Sequence, residues 1–163
     1  MVEVYVAAGS NMQPELYLPR AVRLMEERFK PLRVSPAYRN RAVGFEGEDF
    51  INLVVGFNTE LSFAALRETL QRIEASCDRQ PNAPKWAART MDLDVLLYGD
   101  LVCNEPGFVV PRPDLIKRAY MLKPIVDIAP DVVHPLSGKT MRQLWQEFDQ
   151  NAHELVEVEL DLD

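Results

Sequence analysis

The segment Thr90-Met91-Asp92-Leu93-Asp94-Val95-Leu96-Leu97-Tyr98 is predicted to be a β-strand, the last element of a β-α-β-β-α-β succession. Side chains of a strand alternate between two faces, so Asp92 and Asp94 share one face at a separation of ~7 Å. The opposite face is expected to carry the apolar residues Leu93, Val95 and Leu97. Two carboxylates therefore converge on one side of this strand.

Five elements are predicted before this strand. They are the strand Val2 to Ala8, a helix with apolar residues from Leu18 to Phe29, the strands Leu32 to Tyr38 and Phe50 to Thr59, and a helix capped by Ser62. Pro19 is tolerated only in the first turn of a helix, so the first helix is expected to begin close to it. This order predicts an α+β fold with a ferredoxin-like core, in which two helices cover one face of an antiparallel sheet.

The rest of the chain is predicted to extend the same domain. A short strand pair lies near Leu101 to Val110, a segment punctuated by prolines runs to Pro135, and Thr140 with Gln143 forms a capping box for a last helix. We expect one domain over residues 1–150 and an acidic tail over residues 151–163. In the tail, apolar residues alternate partly with acids, which suits either an added edge strand or a frayed end.

Composition and charge exclude several classes of protein. With 163 residues, 47% of them hydrophobic, the chain can bury one substantial core and is not disordered. The net charge is −7, and seven of the 25 acidic residues follow Arg142, a segment without Lys or Arg. A nucleic-acid partner is therefore not expected. Apolar runs are only strand-sized, so we expect no membrane segment and a cytoplasmic protein.

The aspartate pair is the first candidate for chemistry. Hard carboxylate oxygens so placed suit Mg²⁺, which takes one or two protein carboxylates together with water and substrate phosphates. The alternative is two solvated aspartates on an exposed sheet face. Cations surround the pair in sequence, namely Arg79, Lys85, Arg89, Arg112 and Arg118. Guanidinium groups and metal-binding carboxylates together suit a nucleoside triphosphate, although single loop cations are often merely solvated.

Further residues are ambiguous on their own. Glu74 stands near a helix C-terminus, where an acid is unfavourable, so it is a surface residue or a ligand-binding one. Trp86 either anchors its loop to the core or covers a planar ring. Phe50 and Asn52 share a strand face and, with Tyr120, could hold a flat heterocycle, although most strand aromatics belong to a core. Neither the cysteines nor the histidines have the spacing of a zinc site.

Taken together, the motifs resemble the 6-hydroxymethyl-7,8-dihydropterin pyrophosphokinase family of folate biosynthesis. The Arg89-Thr90-Met91-Asp92-Leu93-Asp94 string is the specific part of the resemblance, which covers about residues 1–146. Supporting segments are Tyr5 to Asn11, Phe50 to Leu53, Arg72 to Glu74, Val110 to Pro113, Arg118 to Pro124 and Ile128 to Asp131.

The resemblance implies transfer of the terminal diphosphate of MgATP to the pterin hydroxymethyl group, with release of AMP. Asp92 and Asp94 would hold two Mg²⁺ ions, and Arg79 and Arg89 would close over the phosphates as catalytic residues. The implied ATP-binding residues are Glu74, Arg79, Trp86, Arg89, Arg112 and Arg118. The implied pterin-binding residues are Gly9, Val43, Gly44, Phe50, Asn52 and Tyr120. We also expect a monomer.

The sequence departs from the family pattern at two places. Arg112 stands where a histidine of a Pro-His-Pro motif is common, and Asn40-Arg41-Ala42 replaces a Thr-Pro-Pro-like run. An arginine can bind phosphate but does not titrate near neutrality. The altered loop leaves open a diverged pyrophosphokinase with another acceptor. A second alternative is a catalytically silent ferredoxin-like binding module that docks partners through the acidic tail.

Overall fold

The computed structural model describes residues 1–40, 49–79, 90–150 and 155–162. It contains eight strands in those ranges: β1 (Val2–Ser10), β2 (Arg33–Val34), β3 (Ala37–Asn40), β4 (Phe50–Thr59), β5 (Asp92–Tyr98), β6 (Cys103–Glu105), β7 (Phe108–Val110) and β8 (Val156–Val158). The α-helices of the same ranges are α1 (Pro14–Arg28), α2 (Phe63–Ser76), α3 (Ala119–Ile128) and α4 (Met141–Glu147). A 3₁₀ turn over Pro113–Ile116 precedes α3.

The main sheet is antiparallel and has the strand order β5-β1-β4-β3-β8, with β2 paired to β4. Its first four strands have the order of a ferredoxin-like fold, because each helical crossover skips one strand and leaves antiparallel neighbours. The predicted fold class is confirmed. The β6–β7 hairpin forms a separate two-stranded sheet.

Helices α1 and α2 cover one face of the sheet. Apolar residues of both helices, such as Leu18, Met25 and Leu66, are fully buried against alternate residues of β1 and β4. The Ser62 hydroxyl accepts a hydrogen bond from the Ala65 N–H at 3.2 Å and so caps α2 as predicted. Helix α2 packs beside β5, which is an edge strand of the sheet, and the candidate site lies there.

The opposite face of the sheet is covered by α3 and α4, with Leu122, Ile125 and Met141 fully buried there. The sequence prediction missed α3, which lies in the segment read only as punctuated by prolines. Pro124 lies inside α3. A proline has no N–H to donate, so a proline in a segment argues against a helix there. In α3 the apolar contacts with the sheet outweigh the loss of that hydrogen bond. No helix of the described ranges is long and apolar enough to cross a bilayer.

Three other expectations are corrected by the structure. Helix α1 begins at Pro14, so Pro19 lies inside the helix and not in its first turn. The strand expected over Leu32 to Tyr38 is divided into β2 and β3 at Ser35 and Pro36. Leu97 does not share a face with Leu93 and Val95.

The reversal at Leu97 results from a register shift between β1 and β5. Tyr5 pairs with Leu97 and Val6 pairs with Val95, so Leu96 is an additional residue on β5. Such a bulge reverses the alternation beyond it. Leu96 and Leu97 both belong to the core under α3, whereas Leu93 and Val95 belong to the core under α1 and α2.

The described part of the C-terminal segment is an added edge strand. Strand β8 pairs with β3, with Val158 opposite Ala37 and Val156 opposite Arg39. Val158, Leu160 and Leu162 are partly buried against the core of α1 and α2, while the acids between them are exposed. Strand β8 ends at Val158, but the alternation of half-buried apolar and exposed acidic side chains continues to Leu162.

Candidate active site

A single cross-strand row connects the candidate site residues on the α3 face of the sheet. Asp92 of β5 pairs with Gly9 of β1, Gly9 pairs with Asn52 of β4, and Asn52 pairs with Tyr38 of β3. Directly paired residues of antiparallel strands have side chains on the same face. Asp92 and Asn52 are two strand spacings apart, ~10 Å, with only a glycine between them.

Gly9 leaves the floor of this row open. A Cβ atom added there would lie 2.3 Å from Asn52 Oδ1 and 3.8 Å from the ring of Phe50. Both side chains therefore lean over Gly9, and any larger residue would displace the amide of Asn52. The amide nitrogen of Asn52 in turn donates a hydrogen bond to the side-chain oxygen of Asn40 at the end of β3. The pairing of Phe50 and Asn52 on one face, predicted from strand periodicity, is thus present.

Asp94 is the more perturbed member of the carboxylate pair. Burial raises the pKa of Asp94 to about 7, the charge of Asp92 adds to the rise, and Arg112 opposes it. The two carboxylates therefore face each other at close range, as the strand alternation predicted. Two ionised carboxylates so close together are unfavourable without a cation, because their charges repel each other and burial removes part of their hydration.

Two arginines balance these carboxylates. Arg79 Nη1 donates to Asp92 Oδ1 at 3.1 Å, and Arg112 Nη2 lies 3.5 Å from Asp94 Oδ1. The backbone N–H of Arg112 also donates to the Leu96 carbonyl at 2.9 Å, which fixes Arg112 beside β5. Among the described residues, the buried Nε of Arg112 has no hydrogen-bond acceptor. Arg112 therefore has a donor available for an anionic ligand.

Glu74 links α2 to the outer edge of β5. Its Oε2 accepts the Leu93 N–H at 2.8 Å and also accepts a hydrogen bond from Arg79. Burial raises the pKa of Glu74, while the Leu93 N–H and Arg79 act in the opposite direction. Glu74 therefore satisfies a backbone donor of the edge strand and holds the guanidinium of Arg79 near Asp92. The sequence alone left Glu74 as either a surface or a ligand-binding residue, and it is buried.

A cleft of about 660 Å³ runs along the edge of β5, between α2 and the β6–β7 hairpin. Its charged side chains include Glu74, Arg79, Asp92, Asp94 and Arg112. It is also lined by the apolar residues Phe63, Leu70, Val95 and Val109, together with Arg67 and Gln71. Arg67 donates to the Gly107 carbonyl at 2.7 Å and so ties α2 to the hairpin. The cleft lining thus combines apolar side chains with several charged groups, and polar groups of this kind can orient a bound ligand.

Tyr120 and Arg118 lie at the start of α3. Burial raises the pKa of Tyr120, and the charge of Arg118 opposes that rise. The charges of Asp114, Asp94 and Asp92 raise the pKa further. Tyr120 is therefore within electrostatic range of the carboxylate pair. The Arg118 carbonyl accepts backbone N–H groups at the first turn of α3. Arg118 is not among the described residues that line the cleft.

Four predicted site residues, namely Val43, Gly44, Trp86 and Arg89, lie outside the described residues, as does Lys85. Sequence reasoning did not identify Tyr38 or Arg67. Strand alternation places Tyr38 on the same face as Asn40. Its position opposite Asn52 follows only when the register of β3 against β4 is known. Among the described ranges, no cluster of three or more His, Cys, Asp or Glu side chains is placed to hold a metal ion.

The sequence model of the family described as 7,8-dihydro-6-hydroxymethylpterin-pyrophosphokinase (HPPK) matches residues 5–130. The chain is similar to proteins named 2-amino-4-hydroxy-6-hydroxymethyldihydropteridine pyrophosphokinase. That of Aquifex aeolicus is 32% identical over 145 residues, covering 88% of this chain and 90% of the relative. That of Pseudomonas aeruginosa is 36% identical, covering 86% and 88%. That of Synechocystis is 40% identical, covering 74% and 61%.

Solved structures support the same fold. Wild-type Plasmodium falciparum HPPK-DHPS with STZ-DHP superposes with a TM-score of 0.73 at 12% identity, covering 90% of this chain and 43% of that chain. An HPPK-DHPS structure in complex with substrates gives a TM-score of 0.72 at 12% identity, covering 93% and 44%. The chain thus spans less than half of these longer proteins. Given the extent of the sequence matches, the chain belongs to the 7,8-dihydro-6-hydroxymethylpterin-pyrophosphokinase family, the ATP-dependent diphosphotransferases of folate biosynthesis.

Proposed function

We propose that the cleft along β5 binds ATP, that the face above Gly9 binds 6-hydroxymethyl-7,8-dihydropterin, and that Asp92 and Asp94 hold the metal between them. The observation that carries this proposal is the position of Asp92. It lines the cleft and is also the first residue of the row that continues through Gly9 to Asn52. A group bound in the cleft and a group bound on the sheet face would therefore meet at this carboxylate.

The residues present fit Mg²⁺. The two carboxylates supply hard oxygen ligands. Burial and the charge of Asp92 raise the pKa of Asp94, so a bound cation would stabilise the ionised form of the pair. Mg²⁺ usually takes one or two protein carboxylates and completes its shell with water and phosphate oxygens, so a site of two aspartates suffices. We propose that two ions bind, which would neutralise the charge of the phosphates and polarise the β-phosphorus.

The arginines are proposed to bind the phosphates. Arg112 has a free Nε donor among the described residues and a guanidinium next to Asp94, so a phosphate oxygen would receive a charge-assisted hydrogen bond. Arg79 would be shared between Asp92 and the phosphates, with Glu74 holding it in place. Arg89, Trp86 and Arg118 are proposed as further ATP-binding residues on the family resemblance alone.

The acceptor site is proposed on the face above Gly9. Phe50 and Tyr120 would stack on the pterin, and Asn52 would read its edge with amide hydrogen bonds. Gly9, Val43 and Gly44 are assigned to the same site. The pterin hydroxyl oxygen would attack the β-phosphorus in line. The new O–P bond would form as the bond from the β-phosphorus to the α,β-bridging oxygen breaks, with AMP as the leaving group and the hydroxyl proton released to water. Positioning together with charge stabilisation would supply most of the catalysis. The Asn52 amide nitrogen already donates a hydrogen bond to Asn40, and this contact would limit which edge of the pterin Asn52 can bind.

Asp94→Asn tests the metal role. The change keeps the size of the side chain and removes its charge, so we expect turnover to fall by ~100-fold or more while the melting temperature is retained. AMP release from ATP is measured with and without the hydroxymethyldihydropterin. Asp100→Asn, an exposed acid just after β5, is the matched control. Near-normal turnover of Asp94→Asn would refute the proposal.

The same assay separates the remaining alternatives. AMP release that depends on the hydroxymethyldihydropterin supports this acceptor. Release with another alcohol would indicate a diverged enzyme, and no release would indicate a binding module. We further propose that the chain is one pyrophosphokinase domain over residues 1–150, to whose sheet the C-terminal residues add an edge strand. We also propose that it acts as a cytoplasmic monomer without a nucleic-acid or membrane partner.

A further inference from the structure

The row that begins at Asp92 does not end at Asn52. Asn52 is directly opposite Tyr38 of β3, and Tyr38 is directly opposite Glu157 of β8. All these side chains lie on the face covered by α3, because paired residues share a face. Tyr38 is buried, in contrast to the partly exposed Asn52. The row thus joins the carboxylate pair to the C-terminal strand through the acceptor face.

Tyr38 is also the contact between this row and α3. Its hydroxyl donates a hydrogen bond to Asp127 Oδ2, and Asp127 Oδ1 accepts from Lys123 Nζ at 2.7 Å. Burial raises the pKa of Tyr38, and the carboxylates of Asp127 and Glu157 raise it further. The hydroxyl therefore remains protonated and acts as a donor throughout the working pH range. A hydrogen bond from a buried phenol to a carboxylate is among the stronger side-chain contacts.

Asp127 and Tyr120 lie on the same helix. They are seven residues apart in α3, two turns along one helix face, with Lys123 between them. The hydrogen bond at Asp127 therefore joins β3 to the helix that also carries Tyr120. In the proposed acceptor site, the position of α3 would set the distance from the ring of Tyr120 to Phe50 and Asn52.

We infer that Tyr38 is a positioning residue for the acceptor, which acts through Asp127 by holding α3 at the spacing that a flat bicyclic ring requires. This inference rests on the proposed acceptor site. Strand β8 secures the other side of Tyr38, because it pairs with β3 over Ala37, Tyr38 and Arg39. The acidic C-terminal segment thereby supports the acceptor half of the site and not the nucleotide half, because three strands separate β8 from β5.

Tyr38→Phe in the full chain is the decisive variant. It keeps the ring and removes only the hydroxyl, so we expect the KM for the pterin to rise about tenfold while the KM for ATP stays unchanged. Tyr98→Phe is the matched control, since it removes the hydroxyl that donates to the Leu61 carbonyl at the far end of β5. A merely structural loss would raise both KM values or lower only the melting temperature.

Asp127 provides the rescue test. Asp127→Asn keeps a carbonyl oxygen that can accept from Tyr38, whereas Asp127→Leu does not. We expect a normal pterin KM for the first variant and a raised one for the second, with no further rise when Tyr38→Phe is added. Unchanged pterin KM in both Tyr38→Phe and Asp127→Leu would overturn the inference.

Asn52→Ala and Tyr120→Ala distinguish this failure from failure of the proposed function. If these two variants leave the pterin KM unchanged, the acceptor site itself is misplaced. If they raise it and Tyr38→Phe does not, only the positioning role is wrong.

Discussion

Arg112 Nη2 lies 3.5 Å from Asp94 Oδ1, and the Arg112 backbone N–H is bonded to Leu96 on the same strand as Asp94. The pair thus holds a permanent positive charge next to the most perturbed carboxylate of the site. A histidine at this position, which the family resemblance leads us to expect, would carry a positive charge only below its pKa. The arginine here instead keeps a guanidinium beside Asp94, where we propose that phosphate binds.

Arg112→His should introduce such a titration. We expect the ratio of kcat/KM for ATP in the variant to that in the original chain to fall as pH rises through about 6.5, because the imidazole loses its charge there. Arg112→Ala is the control. It too removes the guanidinium that opposes the raised pKa of Asp94, but it carries no imidazole, so the fall through about pH 6.5 should appear when Arg112→His is compared with Arg112→Ala. A flat ratio in that comparison would contradict a phosphate-binding role.

Glu74→Gln should separate the two contacts of Glu74. The amide can still accept the Leu93 N–H but no longer attracts Arg79, so we expect stability to be retained and kcat to fall about tenfold. Glu74→Leu removes both contacts and should also cost ~1–3 kcal/mol of unfolding free energy, because the Leu93 N–H is left unsatisfied. Thermal melts and AMP release measure the two effects.

The dependence on Arg79 is tested in a double variant. In an Arg79→Ala background, Glu74→Gln should have no further effect on kcat, because the group that Glu74 positions is already absent. Additive losses would show that Glu74 acts on catalysis by a different route.

Gly9→Ala should weaken acceptor binding through Asn52. A methyl group at Gly9 would lie 2.3 Å from Asn52 Oδ1, so the amide must rotate away. We expect the pterin KM to rise about tenfold or more with an unchanged KM for ATP, since small misplacements in a site are costly. In an Asn52→Ala background the methyl group has room, and Gly9→Ala should have no further effect. A persistent effect there would assign the loss to the backbone of β1 instead.

Several features of the site could be predicted from local sequence. Strand periodicity placed Asp92 beside Asp94 and Phe50 beside Asn52, because alternation depends only on a residue's neighbours in the chain. The capping residues Ser62 and Thr140 likewise identified their helices from a few adjacent positions.

The row from Asp92 to Tyr38 could not be predicted in this way. It depends on the registers of four strands that are distant in sequence, and a register is set by turns and packing across the sheet. The bulge at Leu96 shows the same limit, since it reversed the predicted side of Leu97 without any local signal. Helix α3 was missed because its burial against β4 outweighs the unfavourable Pro124.

The turn around His134 should make stability depend on pH. His134 is buried, and its Nδ1 accepts the backbone N–H groups of Leu136 and Ser137 at 3.2 and 3.1 Å. Burial lowers the pKa of His134 from its ordinary value of 6.5. The unfolded chain therefore binds a proton at His134 more readily than the folded one. The stability that the neutral His134 ring contributes is present above about pH 6.5 and is lost as pH falls below that value.

His134→Asn keeps an oxygen acceptor near the position of Nδ1 and does not titrate. We expect the free energy of unfolding to fall more between about pH 8 and about pH 5 in the original chain than in this variant. Urea unfolding at both pH values measures the difference, and comparing the two proteins cancels the carboxylates that titrate in each. An equal fall in both proteins would mean that His134 is protonated as easily in the folded state as in the unfolded one, and that its two backbone hydrogen bonds do not depend on a neutral ring.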